Sequence, residues 1–380
     1  MLIQKTLPTE PATRVNFDLS QDEEMLKAVA ERFVADRYDG ERRRAALCQP
    51  TGFCADNWTL LGDLGLIAMA FDAESGGLSA SATDLAIVFE ALGHGLVVEP
   101  LIEAILVAGK IFESHAAPAL KQEWMDDLVN GKRRLALAHR EARSRGNPAW
   151  VETHAIHTVD GWRLSGTKQM VRAGVGADAL IVSARTSGAF GDAEGIMLFL
   201  VAANASGMTS TPYRVIDGTV ACEISLHDVA TEPLGAGLSA IMNAESKANI
   251  ARCAEAVGIM EMLFATTIDY LRTRTQFGVP LGSFQALQHR MVAQYAVIEQ
   301  ARSLLYLAVM SGGDAIAGAR AFICDASVTL GHEMIQLHGG MGVTDELIIG
   351  HGHKRLMMLS RYPEAAAVAL DDYARISARF

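Results

Sequence analysis

Arg274, Gln276 and Phe277 stand at a break in a helical stretch, RTRTQFGVPLGSFQALQHRMV. A basic run meets Phe277-Gly278, Pro280 and Gly282 follow closely, and an amphipathic run then begins. Proline and glycine there end one helix and set the turn into the next. Taken alone, the R-x-Q-F-G turn is either a binding loop or a helix C-terminus whose basic residue complements the dipole. A second stretch, QLHGGMG, carries Gln336, Gly339 and Gly340. Glycine lets backbone approach a ligand closely. No strand precedes it, so it is not a dinucleotide-binding fingerprint. His338, His351 and His353 offer imidazoles, but no carboxylate or thiolate sits at ligand spacing with them, and no metal is expected.

The elements that must position these residues follow from length and pattern. The chain has 380 residues, half of them hydrophobic, enough for two or three packed domains. Its net charge of −11 argues against nucleic acid and against an anionic membrane surface as partners. No apolar run reaches the roughly 20 residues of a membrane span. The first twenty residues lack a basic region followed by an apolar core and read as a leader before the first helix. Five cysteines, none in a C-x-x-C pair, suggest reduced and mostly buried thiols in the cytoplasm.

An α+β architecture in three parts is expected. Residues 1–134 read as packed helices: Ser20 and Glu23 form a capping box ahead of Leu26, Val29, Ala30 and Phe33. A long Ala/Leu-rich stretch follows, broken at Gly93 and Pro100. Residues 135–230 read as a β-domain of short apolar runs, with Asp160-Gly161 as a hairpin signal and DVATEPLGAG as the linker out of it. Residues 231–380 read as a bundle of four long helices with short connections.

Helices, a β-domain and a bundle containing RTQFGVPLGSFQALQHR and QLHGGMGVTDE resemble the acyl-CoA dehydrogenase family of flavoproteins. The resemblance spans nearly the whole chain. It is closest to the small-subunit type of pimeloyl-CoA dehydrogenase and to acyl-CoA dehydrogenases of steroid degradation, where CAEAVGIME and QFGVPLGSFQALQHR have near-identical counterparts. The fold it implies is an N-terminal α-helical domain, a middle β-domain and a C-terminal four-helix bundle. The implied cofactor is FAD, lying across a subunit interface. The implied activity is α,β-desaturation of an acyl-CoA thioester, possible substrates being dicarboxylic or steroid-derived esters. Implied partners are an electron-transfer flavoprotein and the other subunits of a homo- or heterotetramer. By this likeness Arg274 would meet the pyrophosphate with its forked guanidinium. Gln276 would hydrogen-bond nearby, Phe277 would pack on the cofactor, Gln285 would reach the adenosine side, and Gln336, Gly339 and Gly340 would admit the adenosine.

The likeness thins where the chemistry should lie. The family places its catalytic carboxylate in a Tyr-Glu-Gly-Thr sequence; here SRYPEAAAV puts Pro363 at that position and Glu364 one residue later. Glu364 is therefore the candidate base if the loop shifts by one residue. Relatives that carry the base on the first bundle helix would have it at Ala248, and Glu255 nearby reads as a helix-face carboxylate in a polar patch. On the β-domain, Thr-Glu-Pro becomes Arg140-Glu141-Ala142 and Trp-Ile-Thr becomes Met170-Val171-Arg172. Residues for a neighbour's ADP are kept while those for the chain's own flavin ring are replaced. Two readings from different classes follow: a working dehydrogenase, or a non-catalytic subunit that completes the FAD site of a partner subunit. An oxygen-using flavoprotein of the same fold is a third.

Overall fold

The computed structural model describes residues 18–377, so most of the expected leader lies outside the described residues. The N-terminal part holds helices α1 (Gln21–Arg37), α2 (Gly40–Cys48), α3 (Ala55–Asp63), α4 (Ala82–His94), α5 (Lys110–His115) and α6 (Pro118–Val129). Its first helix begins where the capping box places it: Ser20 Oγ accepts from the Glu23 amide at 3.3 Å, and Glu23 accepts from the Ser20 amide at 2.7 Å. Ser81 and Asp84 repeat the device at α4. The break expected at Gly93 and Pro100 falls after His94, and a buried π-helical turn, Ile102–Gly109, then leads into α5.

The β-domain runs β1 (Leu135–Ala138), β2 (His154–Thr158), β3 (Gly161–Arg172), β4 (Ala179–Arg185), β5 (Ile196–Ala202), β6 (Met208–Arg214) and β7 (Val220–Pro233). β5 pairs with β4 on one side and with the end of β7 on the other, so the sheet curls back on itself. Two local expectations shift. Thr158 pairs with Gly161, so the β2–β3 loop is Val159-Asp160, one residue early, with Gly161 at φ +105°. The expected linker is largely strand: Thr231 pairs with Trp162 and Glu232 with Leu200, because both edges still have ladder partners there.

The bundle consists of α7 (Leu238–Thr273), α8 (Gln285–Ser311), α9 (Gly313–His338), α10 (Ile348–Leu359) and α11 (Ala366–Ser377). α7 continues through 36 residues without proline and buries the run Ala248–Leu263 almost completely. It packs most extensively on α4, where Gly93 and Gly258 allow backbones to meet. A Cβ on Gly258 would lie 2.0 Å from the Glu90 carbonyl oxygen. One apolar cluster passes from Phe33 through Val182 to Leu356 and joins all three parts. Among the described residues no helix is long and apolar enough to cross a membrane. All five cysteines are free, and Cys222, Cys253 and Cys324 are buried.

Candidate functional site

The residues singled out above fall at two places, at opposite ends of α7. The first is the α7–α8 turn. β8 (Thr275–Gln276) and β9 (Val279–Pro280) make a two-stranded hairpin whose tip residues, Phe277 and Gly278, both have positive φ (56° and 82°). A non-glycine residue held there carries backbone strain, which marks the tip as a candidate for function. Phe277 is 89% exposed and meets Phe284 edge-on at 6.2 Å. The Arg274 amide closes α7 by donating to the Tyr270 carbonyl at 2.8 Å, and its own carbonyl accepts from Leu281. Its guanidinium is exposed and has no intrachain partner among the described residues. Gln276 and Gln285 are likewise exposed.

The glycine-rich motif arrives at this same end. Tyr270, one turn before Arg274, stacks on His338 at 4.4 Å, next to Gly339 at φ +60°. Gln336, Gly339 and Gly340 are exposed, and a Cβ on Gly339 or Gly340 would meet nothing within 4 Å. Packing therefore does not demand glycine at either place; at Gly339 the positive φ alone favours it. The histidines considered for a metal go elsewhere. His338 Nδ1 faces the Met334 carbonyl at 2.8 Å, His351 Nδ1 meets Arg43, and His353 lies 4.5 Å from the His332 ring.

The second place is a cleft of about 830 Å³ between the β-domain and the bundle. The end of β1 brings His139 and Arg140 to it, β3 brings Met170, the start of α7 brings Glu245 and Asn249, and α9 brings Asp314 and Arg320. Tyr362, Pro363 and Glu364 close the far side. Beneath it, Glu141 anchors the strand exit: its oxygens accept from the Glu152 and Thr153 amides at 2.6 and 3.0 Å and from Lys168 Nζ at 2.7 Å. Lys168 is fully buried, and burial pulls its pKa down to about 8 against the opposing pull of Glu141. Glu141 thus survives as a clamp on the fold.

The ring-facing segment is differently committed. The β3–β7 register slips between Lys168 and Val171, with Met170 at φ +55°. The Met170 amide donates to the Tyr213 hydroxyl at 3.0 Å. Arg172 is turned into the body and pairs with Glu103 at 3.2 Å. Burial raises the Glu103 pKa, but Arg172, Arg355 and Arg252 outweigh it and hold the group below the usual carboxylate range. Three guanidinium carbons surround the Tyr362 ring, Arg140 at 4.8 Å, Arg172 at 5.6 Å and Arg252 at 5.9 Å. On this wall the Met170 amide is committed to Tyr213 and the Arg172 charge to Glu103, whereas the Arg140 guanidinium has no hydrogen bond among the described residues.

Glu364 does reach the cleft, one quarter exposed, but it is held. Asn249 Nδ2 and Arg320 Nε each donate to Oε1 at 3.2 Å, and Arg320 Nη2 also donates to the Tyr362 carbonyl at 2.8 Å. Glu255 lies away from the cleft in a two-pronged bond from Arg355 at 2.6 and 2.9 Å. Ala248 is buried and carries no ionisable group. Sequence reasoning missed Arg320, Asn249 and Tyr362. The lone arginine in AIAGARAFIC was the available signal, since a charge inside an apolar helical run needs a partner.

Buried imidazoles add a pH dependence. Burial and the nearby Lys168 and Arg140 charges bring His139 down to about 3, and burial with His332 brings His353 to about 4, from an ordinary 6.5. Below pH 6.5 the unfolded chain takes up protons that the folded chain refuses. Stability is therefore lost as pH falls from about 6.5 toward 4, by up to about 1.4 kcal/mol per pH unit for each histidine. Thermal midpoints should drop between pH 7 and pH 5, and His353→Gln should flatten that drop; an unchanged slope would remove His353 from the account.

Comparison with known proteins gives the same picture. A model of the acyl-CoA dehydrogenase N-terminal domain matches residues 20–132, and one of the C-terminal domain matches residues 235–374. Acyl-CoA dehydrogenase FadE27 of Mycobacterium tuberculosis is 28% identical over 309 residues, covering 77% of this chain and 79% of that one. Human mitochondrial short-chain specific acyl-CoA dehydrogenase is 26% identical over 309 residues, covering 76% and 74%. Among solved structures, a Tcur3481-Tcur3483 steroid ACAD variant aligns at TM-score 0.84 and 27% identity, covering 94% of this chain and 98% of that one. The ChsE4-ChsE5 complex from Mycobacterium tuberculosis aligns at 0.85 and 25%, covering 96% and 100%. With its helical, β and bundle parts in that order and both terminal domains matched, the chain belongs to the acyl-CoA dehydrogenase family: it is an oxidoreductase of acyl-CoA esters, and its cofactor is FAD.

Proposed function

We propose that this chain is one subunit of a mixed acyl-CoA dehydrogenase, in which it cradles the ADP half of a FAD whose ring is held by a different, related subunit. The observation that carries this reading is the replaced ring-facing segment, where Arg172 is turned onto Glu103 and the Met170 amide is held by Tyr213; the separation of the two places along α7 adds that the FAD spans two subunits. From Glu245 at the cleft to Arg274 at the hairpin the helix rises roughly 40 Å at 1.5 Å per residue, well beyond the reach of one dinucleotide. A FAD using Arg274 must extend off this chain. Arg274 would fork onto the pyrophosphate, Phe277 would pack on the cofactor, Gln276 and Gln285 would hydrogen-bond along it, and Gln336, Gly339 and Gly340 would admit the adenosine. FAD, when bound, accepts the hydride from the acyl β-carbon; this chain's part is to hold and orient it.

Two structural relatives, Tcur3481-Tcur3483 and ChsE4-ChsE5, each join two different proteins, and this supports the mixed arrangement. The steroid designation of one supports a bulky, steroid-derived acyl-CoA as substrate, with dicarboxylic esters next. An electron-transfer flavoprotein is the expected electron acceptor, and the cytoplasm the expected location. The test is the visible spectrum and FAD-to-chain ratio of the protein alone and after co-expression with a related dehydrogenase subunit. A colourless chain that turns yellow at about one FAD per two chains supports the reading. One FAD per chain in the protein alone, bleached anaerobically by an acyl-CoA, would sink it.

A second reading, a self-sufficient dehydrogenase with Glu364 as base, is favoured by the arrival of Glu364 at the cleft. Glu364→Gln separates the two. In the mixed enzyme turnover should stay within a few-fold, whereas removing a general base costs roughly 10²–10⁴-fold.

A further inference from the structure

The cleft between the β-domain and the bundle is large enough for a ligand of its own. It remains open to about 830 Å³, within the 300–1,000 Å³ typical of small-molecule pockets. Its charges are nearly all matched. Glu245 is paired with Arg252 at 2.7 Å, Glu364 with Arg320 at 3.2 Å, and Asp372 with Arg375 at 3.1 Å. Arg140 is different. It lines the cleft half-buried and packs 4.8 Å above Tyr362, and among the described residues its guanidinium has neither a hydrogen bond nor an acidic partner. Arg320, 1% exposed, also lines the cleft, and its Nη1 has no hydrogen-bond partner. Buried guanidinium groups left unsatisfied are costly and rare. The remaining lining is mixed: Trp150, Ile241, Met242 and Ile316 supply apolar surface, and Ser144 and Asn147 polar groups. Asp314, also without a partner on the same rim, disfavours a second negative charge on the ligand.

We propose that this cleft binds an amphipathic monocarboxylate, its headgroup held by the forked guanidinium of Arg140 beside Arg320 and its apolar body lying along the Trp150–Ile241 wall. The inference rests on the reading that no flavin ring occupies this chain's own cleft. A carboxylate there would take two charge-assisted bonds from the Arg140 guanidinium, with the Arg320 charge behind it, while the apolar wall loses its contact with water. The site would let the subunit respond to free acyl carboxylates, a ligand class distinct from the thioesters of the reaction.

Trp150 in the wall gives the readout. Decanoate titrated into the co-purified complex should perturb tryptophan fluorescence saturably. Decan-1-ol, with the same chain and no charge, should bind at least about tenfold more weakly, and decanedioate more weakly than decanoate. Arg140→Gln should weaken decanoate binding by roughly ten- to a hundredfold, the loss of a charge-assisted pair, and Arg140→Lys should restore much of it. Equal binding of the alcohol, or unchanged binding in Arg140→Gln, would leave only a greasy groove and overturn the proposal, as would the absence of saturable binding at millimolar decanoate. Flavin absorbance of the same samples is read independently. One FAD per chain refutes the mixed-subunit reading itself, whereas half occupancy without decanoate binding refutes only the carboxylate site.

Discussion

Arg274→Ala should weaken FAD retention by the assembled enzyme by roughly tenfold to a hundredfold. A forked, charge-assisted contact to a phosphate is worth about 1.5–3 kcal/mol, and each 1.4 kcal/mol is a factor of ten. The stability of the chain should hardly change, because the Arg274 guanidinium is exposed and has no intrachain partner among the described residues. Its backbone bonds to Tyr270 and Leu281 survive the substitution. Arg272 supplies the control. It lies on the same turn, 74% exposed, with Asp269 at 3.9 Å, and Arg272→Ala should leave FAD affinity alone. Arg274→Lys should fall between, since it keeps the charge and loses the fork. The measurement is FAD release on dilution, followed by flavin fluorescence. Equal retention by wild type and Arg274→Ala would mean that the pyrophosphate lies elsewhere.

Arg355→Met should have the largest effect on stability, about 3–5 kcal/mol. Arg355 bonds Glu255 on α7 through two nitrogens and Asp217, in the turn before β7, through the third at 3.1 Å. Both carboxylates are at most 5% exposed, so removing the arginine strands two charges away from water. Burial raises the Asp217 pKa, but Arg172 and Arg355 outweigh it and hold the carboxyl below the usual range. The network extends to α2 through Arg43, whose Nη1 meets His351 at 3.0 Å on the helix that carries Arg355. The ions therefore tie all three parts of the molecule together. Urea unfolding should show the lowered midpoint. The double variant Arg355→Met with Glu255→Leu should recover part of the loss, because one stranded charge is removed. A loss below about 1 kcal/mol for the single variant would class the pair with exposed surface bridges.

The order of the parts, the long helices and the hairpin break are legible in the chain alone. Those features are local: apolar residues at helical spacing, capping pairs such as Ser20 and Glu23, and the Phe-Gly, Pro and Gly punctuation after Arg274. The resemblance carried by RTQFG and QLHGGMG lies in these contiguous stretches, so it too needed no fold. Edges were less legible. DVATEP looked like a linker because its residues favour turns, yet free ladder partners on β3 and β5 drew it into β7.

What each charged side chain does depends on partners that only folding brings near. Glu364 and Glu255 are both carboxylates near glycine or alanine in the sequence. One meets Arg320, 44 residues away, and the other Arg355, 100 residues away. Arg172 and Arg140 occupy comparable replaced positions, yet Glu103 claims the first and no acid among the described residues claims the second. The physical reason is range. Helix and turn preferences are set within a few residues, whereas the state of a buried charge depends on which distant group packs against it, and only the folded chain settles that.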